Sequence, residues 1–118
     1  MTAGRGIVHS EIPASFEQHS LGFQLWINLK KENKMNPPAY QEFTRDKLQV
    51  YHEDKLDVKV IAGKWKGHEG PIVCRTPSYY FDVHVHAGGK FDIPISGLWN
   101  SIIFPYEGEV KYQNETLV

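Results

Sequence analysis

Met1-Thr-Ala-Gly-Arg-Gly-Ile-Val-His-Ser-Glu-Ile-Pro13 puts a turn signal, a strand-like run and an H-x-E pair side by side. The two glycines of Ala3–Gly6 permit backbone angles that other residues avoid, so the segment reads as a turn. Ile7-Val8 opens an extended run that Pro13 ends. Successive side chains of an extended chain alternate faces, which groups Val8, Ser10 and Ile12 against Ile7, His9 and Glu11. An imidazole and a carboxylate on one face reach a single ion, and two His plus a carboxylate is a usual non-haem iron pattern. Spacing alone says little here. H-x-E arises often by chance, and its ordinary reading is a half-buried strand with a polar edge.

Outward from this stretch, Ala14–Ser20 reads as a polar loop in which His19 has no partner at metal-ligand spacing. Gly22–Leu29 is the clearest strand, with Phe23, Leu25, Ile27 and Leu29 on one face and Gln24, Trp26 and Asn28 on the other. That alternation suits one wall of a β-barrel, where Trp26 either fills the interior or stacks on a flat aromatic ligand. Lys30–Lys34 is a charged connector long enough for one helical turn, and Pro37-Pro38 forbids helix beyond it. Phe43–Asp57 is charged and poor in apolar anchors, as a connection would be, and His52 within it reads as a solvated surface residue. Alternation resumes at Asp57, where Val58, Val60 and Ala62 interleave with Lys59 and Ile61. Further short strands are expected at Ile72–Arg75, Tyr79–His86, Trp99–Phe104 and Glu109–Tyr112. Gly/Pro turns divide them at Lys64–Pro71, Thr76-Pro77, Ala87–Gly89, Pro105 and Gly108. Short strands at this spacing argue an all-β sandwich or barrel. No window shows a helical period.

Composition narrows the function classes. Of 118 residues, 13 are Lys or Arg and 14 Asp or Glu, for a net charge of −1. No cationic cluster offers a nucleic-acid backbone its counter-charge, so direct nucleic-acid binding is not expected. No apolar run approaches the roughly 20 residues of a membrane span, and Met1–Pro13 lacks the apolar core of a signal peptide. The single Cys74 cannot form an internal disulfide, which fits a reducing cytosol or nucleus, and it reads as a small buried strand residue.

The run MTAGRGIVHSEIP, then GFQLWINL (Gly22–Leu29) and PAYQE (Pro38–Glu42), closely resembles the pirin family of bicupins. VIAGKWKG (Val60–Gly67), RTP (Arg75–Pro77), YFDV (Tyr80–Val83), PI-x3-WN (Pro94–Asn100) and EGEV (Glu107–Val110) extend the likeness over nearly the whole chain. The resemblance implies a cupin-type β-barrel or jelly roll. Residues 1–42 would end the first cupin, 43–57 would connect the two, and 58–118 would begin the second. Pirins hold one iron in the first cupin through three His and one Glu, and His9 and Glu11 match the last two. The first two pirin ligands lie in an H-x-H segment upstream of the MTAGRG block, so the barrels are expected to be incomplete and Fe(II) weakly held or absent. Open sheet edges and uncovered apolar faces would then favour self-association.

Asp82-Val-His84-Val-His86 is the competing motif. H-x-H on a strand points both imidazoles one way. Phe81, Val83 and Val85 look like the core face, however, which turns Asp82, His84 and His86 toward solvent. These residues also fall in the second cupin, which in pirins binds no metal. Three functions follow from the resemblance. One is flavonol oxidation of the quercetin 2,3-dioxygenase type, with His9 and Glu11 as iron ligands and Glu11 also a catalytic base. The second is a nuclear or cytoplasmic co-regulator that binds transcription factors. The third is a degenerate pirin fragment without metal or activity.

Overall fold

The computed structural model describes residues 1–13 and 15–118, so Ala14 of the predicted Ala14–Ser20 loop lies outside the described residues. The only sheet of more than two strands among them is built from β1 (Val50–Glu53), β2 (Leu56–Ala62) and β5 (Tyr80–Val85), in the order β1-β2-β5 and antiparallel throughout. β2 is central because its sequence gives it a dry face. Leu56, Val58, Val60 and Ala62 are buried, and Val58 is 0% exposed. Cross-strand register then puts Tyr51 and Val83 opposite Val58, Val85 opposite Leu56 and Phe81 opposite Val60 on that same face. Phe91, Ile93 and Trp65 complete the core.

Two hairpins of two-residue turns frame this sheet. β3 (Lys64–Trp65) and β4 (His68–Glu69) are joined by Lys66-Gly67, both at positive φ, the backbone that matches the twist of paired strands. β6 (Val110–Tyr112) pairs with β7 (Glu115–Leu117) across Gln113-Asn114. β1 and β2 turn through Asp54-Lys55, with Lys55 at φ +58°. Lys31–Asn33 forms the single expected helical turn, of 3-10 type, and Arg45–Lys47 forms another.

Three sequence expectations change. β1 lies inside Phe43–Asp57, which read as a connection, because an exposed edge strand needs few apolar residues. Gly22–Leu29, Trp99–Phe104 and most of Ile72–Arg75 lie outside any ladder. Ile72 alone bridges Ala62, and the Gln41 side-chain amide takes the place of a strand partner, exchanging hydrogen bonds of 2.8 and 2.9 Å with the backbone of Val73. Cys74, expected to be buried in a strand, is half-buried outside one. The remaining apolar faces stay open. Phe23, Leu25 and Ile27 are partly exposed and Trp26 is 82% exposed, so Trp26 neither fills a barrel nor lines an enclosed cavity. No closed barrel forms among the described residues. No helix among them is long and apolar enough to cross a membrane.

Candidate metal-ligand site

The turn that precedes His9 is fixed by glycine. Gly4 sits at φ +54°, and a Cβ there would collide with the Asn36 carbonyl, which instead accepts from the Arg5 N–H at 3.0 Å. Gly6 N–H closes the turn on Ala3, and Thr2 exchanges two backbone hydrogen bonds with Ala39. The chain then leaves for solvent without a ladder. Alternation of side chains survives there, because it depends only on extended backbone. His9 Nε2 and Glu11 Oε1 come to 3.7 Å of each other on one side, with the imidazole about one-third exposed and the carboxylate more so. Ligand atoms about 2.1 Å from one ion stand about 3 Å apart, so a small side-chain adjustment brings this nitrogen and oxygen to a common ion. Both are donors that ferrous iron accepts.

Glu11 has a further neighbour that spacing did not disclose. The Gln24 side-chain amide donates to Glu11 Oε1, and the Trp26 indole N–H donates to Gln24 Oε1 at 2.8 Å. Gln24 and Trp26 were grouped on one strand face in the sequence, but nothing there tied that face to Glu11. Glu11, Gly22, Phe23 and Gln24 line an open depression. Phe23 packs edge-on against Phe104 and tilted against Tyr106, with centroids 5.6 and 5.1 Å away, so this segment leans on the C-terminal part of the chain.

His84 and His86 do face outward, as their strand parity predicts, opposite Phe81, Val83 and Val85. Their surroundings are more structured than a solvated face. Asp57 accepts from His52 Nδ1 at 2.7 Å and from His86 Nε2 at 3.1 Å, and the His84 and His86 rings stack at 4.4 Å. The His52 hydrogen bond, with help from His86 and against the effect of burial, holds the Asp57 carboxyl below its ordinary range. His52 is thus exposed but paired. Its signal was the two-residue turn that places it directly across from Asp57. One strand-step further along the same face, Lys59 and Tyr106 both donate to Asp82, at 2.9 and 2.8 Å. Among the described residues, no three His, Cys, Asp or Glu side chains form a group that could hold a metal ion.

Comparison with known proteins agrees with the motifs. A pirin-like protein of Caulobacter vibrioides is 42% identical over 120 residues, which cover 99% of this chain and 44% of that protein. Rat pirin is 41% identical over 110 residues, 93% of this chain and 38% of its own length. A pirin-like protein of Arabidopsis thaliana is 38% identical over 120 residues, 99% of this chain and 39% of its own. The chain therefore spans about two fifths of the length of the curated relatives it matches. No family model and no solved structure matches it. Short antiparallel strands, a single small apolar core and these relatives define an all-β protein of the cupin type with open barrels. Within that class the chain is similar, over nearly its whole length, to pirins and pirin-like proteins.

Proposed function

We propose that this chain carries two ligands of a mononuclear non-haem iron site, His9 and Glu11, in a pirin-type protein that oxidises flavonols such as quercetin with dioxygen. The observation that supports it best is the 3.7 Å approach of His9 Nε2 to Glu11 Oε1 on one side of an extended segment, inside the block most like pirins. Ferrous iron, when bound, supplies the dioxygen chemistry that no side chain provides. The chain's own residues do the rest. His9 offers a neutral ring nitrogen, and Glu11 offers a carboxylate oxygen. A Glu11 oxygen not engaged by the ion accepts the proton of a substrate hydroxyl. The open depression beside Glu11 gives a flat phenolic substrate access from solvent.

Anaerobic ferrous titration of the chain, followed by oxygen uptake with quercetin, tests the proposal. Two donors of a four-donor set hold iron weakly, so low-affinity binding that disappears in His9→Ala is expected. Binding unchanged in His9→Ala would overturn it. Oxygen uptake upholds the oxidase activity. Iron without oxygen uptake favours instead a nuclear or cytoplasmic co-regulator whose exterior meets transcription factors.

A further inference from the structure

We infer that Gln24 is a positioning residue for the Glu11 carboxylate, and that Trp26 fixes Gln24 in turn. The inference rests on the metal-ligand role proposed for Glu11. An indole N–H is a donor only, so the atom of Gln24 that lies 2.8 Å from Trp26 Nε1 is the amide oxygen. The amide nitrogen must then be the end that faces Glu11 Oε1, where it donates. Had the amide been reversed, its oxygen would oppose a carboxylate oxygen and two N–H groups would meet. The indole therefore decides the orientation of the amide, and the amide decides which carboxylate oxygen is engaged. The oxygen it engages, Oε1, is the one 3.7 Å from His9 Nε2, so the amide fixes the carboxylate edge that the imidazole faces. Carboxylate ligands are commonly oriented by such outer partners. Gln24 and Trp26 are both exposed, and neither belongs to the core, so their substitution leaves folding intact.

Two measurements on the full chain test this. In the metal-free, nitrogen-15-labelled protein, Glu11→Ala is expected to move the Trp26 indole N–H resonance, although the two side chains share no direct hydrogen bond. An indole resonance that stays in place in Glu11→Ala overturns the relay without reference to any metal. In the second measurement, cobalt(II) chloride is titrated as a spectroscopic probe. Gln24→Leu should weaken its binding roughly tenfold and alter its visible absorption, the scale expected when an outer partner is lost. Trp26→Phe, which keeps a ring but removes the donor, should show a smaller loss of the same kind. Unchanged cobalt affinity and spectrum in Gln24→Leu overturn the positioning role. Cobalt binding that is indifferent to His9→Ala sinks the metal-ligand proposal and the positioning role with it, while the indole shift still reports the hydrogen-bond chain.

Discussion

Removing the phenol hydroxyl of Tyr106 tests how the C-terminal segment is fastened to the sheet. Tyr106 donates to Asp82 Oδ1 at 2.8 Å, while its ring lies 5.1 Å from Phe23, the neighbour of Gln24. Tyr106→Phe deletes the hydrogen bond and keeps the ring contact. Hydrogen bonds to a charged group contribute about 1.5–3 kcal/mol when well buried, and exposure of about half of Tyr106 reduces this to about 1 kcal/mol. The bond also has a pH signature. Burial opposes ionisation of Asp82, but hydrogen bonds from Lys59 and Tyr106 outweigh it and hold the carboxyl below its ordinary range. A carboxyl lowered in the folded state adds stability above its unfolded pKa of about 3.9, and loses it as pH falls through the lower folded value. Tyr106 is shifted upward, chiefly because its O–H donates to Asp82. Its contribution is complete below the unfolded pKa of about 10 and is lost as pH rises through the higher folded value. The stability gap between wild type and Tyr106→Phe is therefore expected to be flat from about pH 5 to 9 and to shrink toward pH 2. Urea unfolding followed by far-ultraviolet circular dichroism measures it. An equal gap at pH 2 and pH 7, or one under about 0.3 kcal/mol at pH 7, refutes the reasoning.

Val58→Ala removes two methyl groups from a fully buried site, worth about 1.6 kcal/mol in transfer alone and about 2–3 kcal/mol with the cavity term. Urea unfolding should show that loss, and a loss under about 1 kcal/mol contradicts the burial assigned to β2. Gly63 sits at φ +83°, where an added Cβ overlaps the Tyr79 ring and comes within 2.9 Å of the Ser78 carbonyl oxygen. Gly63→Ala should cost at least about 1–2 kcal/mol, and an unchanged melting temperature argues against that turn. The double change His84→Ala/His86→Ala is expected to leave ferrous binding intact in the titration where His9→Ala removes it. The reverse outcome would transfer the site to His84 and His86.

The parts of the fold legible in the sequence are those whose cause is local. β2 was readable because Val58, Val60 and Ala62 alternate with polar residues and bury on one face, whatever the neighbours are. The outward parity of His84 and His86 followed from Phe81, Val83 and Val85 in the same way. Gly22–Leu29 alternates as cleanly as β2 and yet joins no ladder, because a strand is completed by a partner's backbone and no described residue offers one. β1 failed for the opposite reason. Val50-Tyr-His-Glu53 lacks a convincing pattern of its own, and is a strand because the Asp54-Lys55 turn folds it onto β2. The site divides along the same line. The shared side of His9 and Glu11 was readable from a spacing of two, whereas Gln24 reaches Glu11 across thirteen residues of chain.

The two H-x-carboxylate and H-x-H motifs differ less in spacing than in what already engages them. Asp57 accepts from His52 and His86 at ordinary hydrogen-bond lengths, and His84 is stacked on His86. An ion entering that cluster must first displace the hydrogen bonds that the Asp57 carboxylate already accepts. Among the described residues, His9 carries no such commitment. Its nearest carboxylate oxygen, Glu11 Oε1, is 3.7 Å away, beyond hydrogen-bond length, and that same oxygen accepts from the Gln24 amide. Geometry that leaves an imidazole unbonded beside an oriented carboxylate costs little to convert into ligation. For that reason the ligation proposal rests on residues 9 and 11 rather than on the more conspicuous His84 and His86.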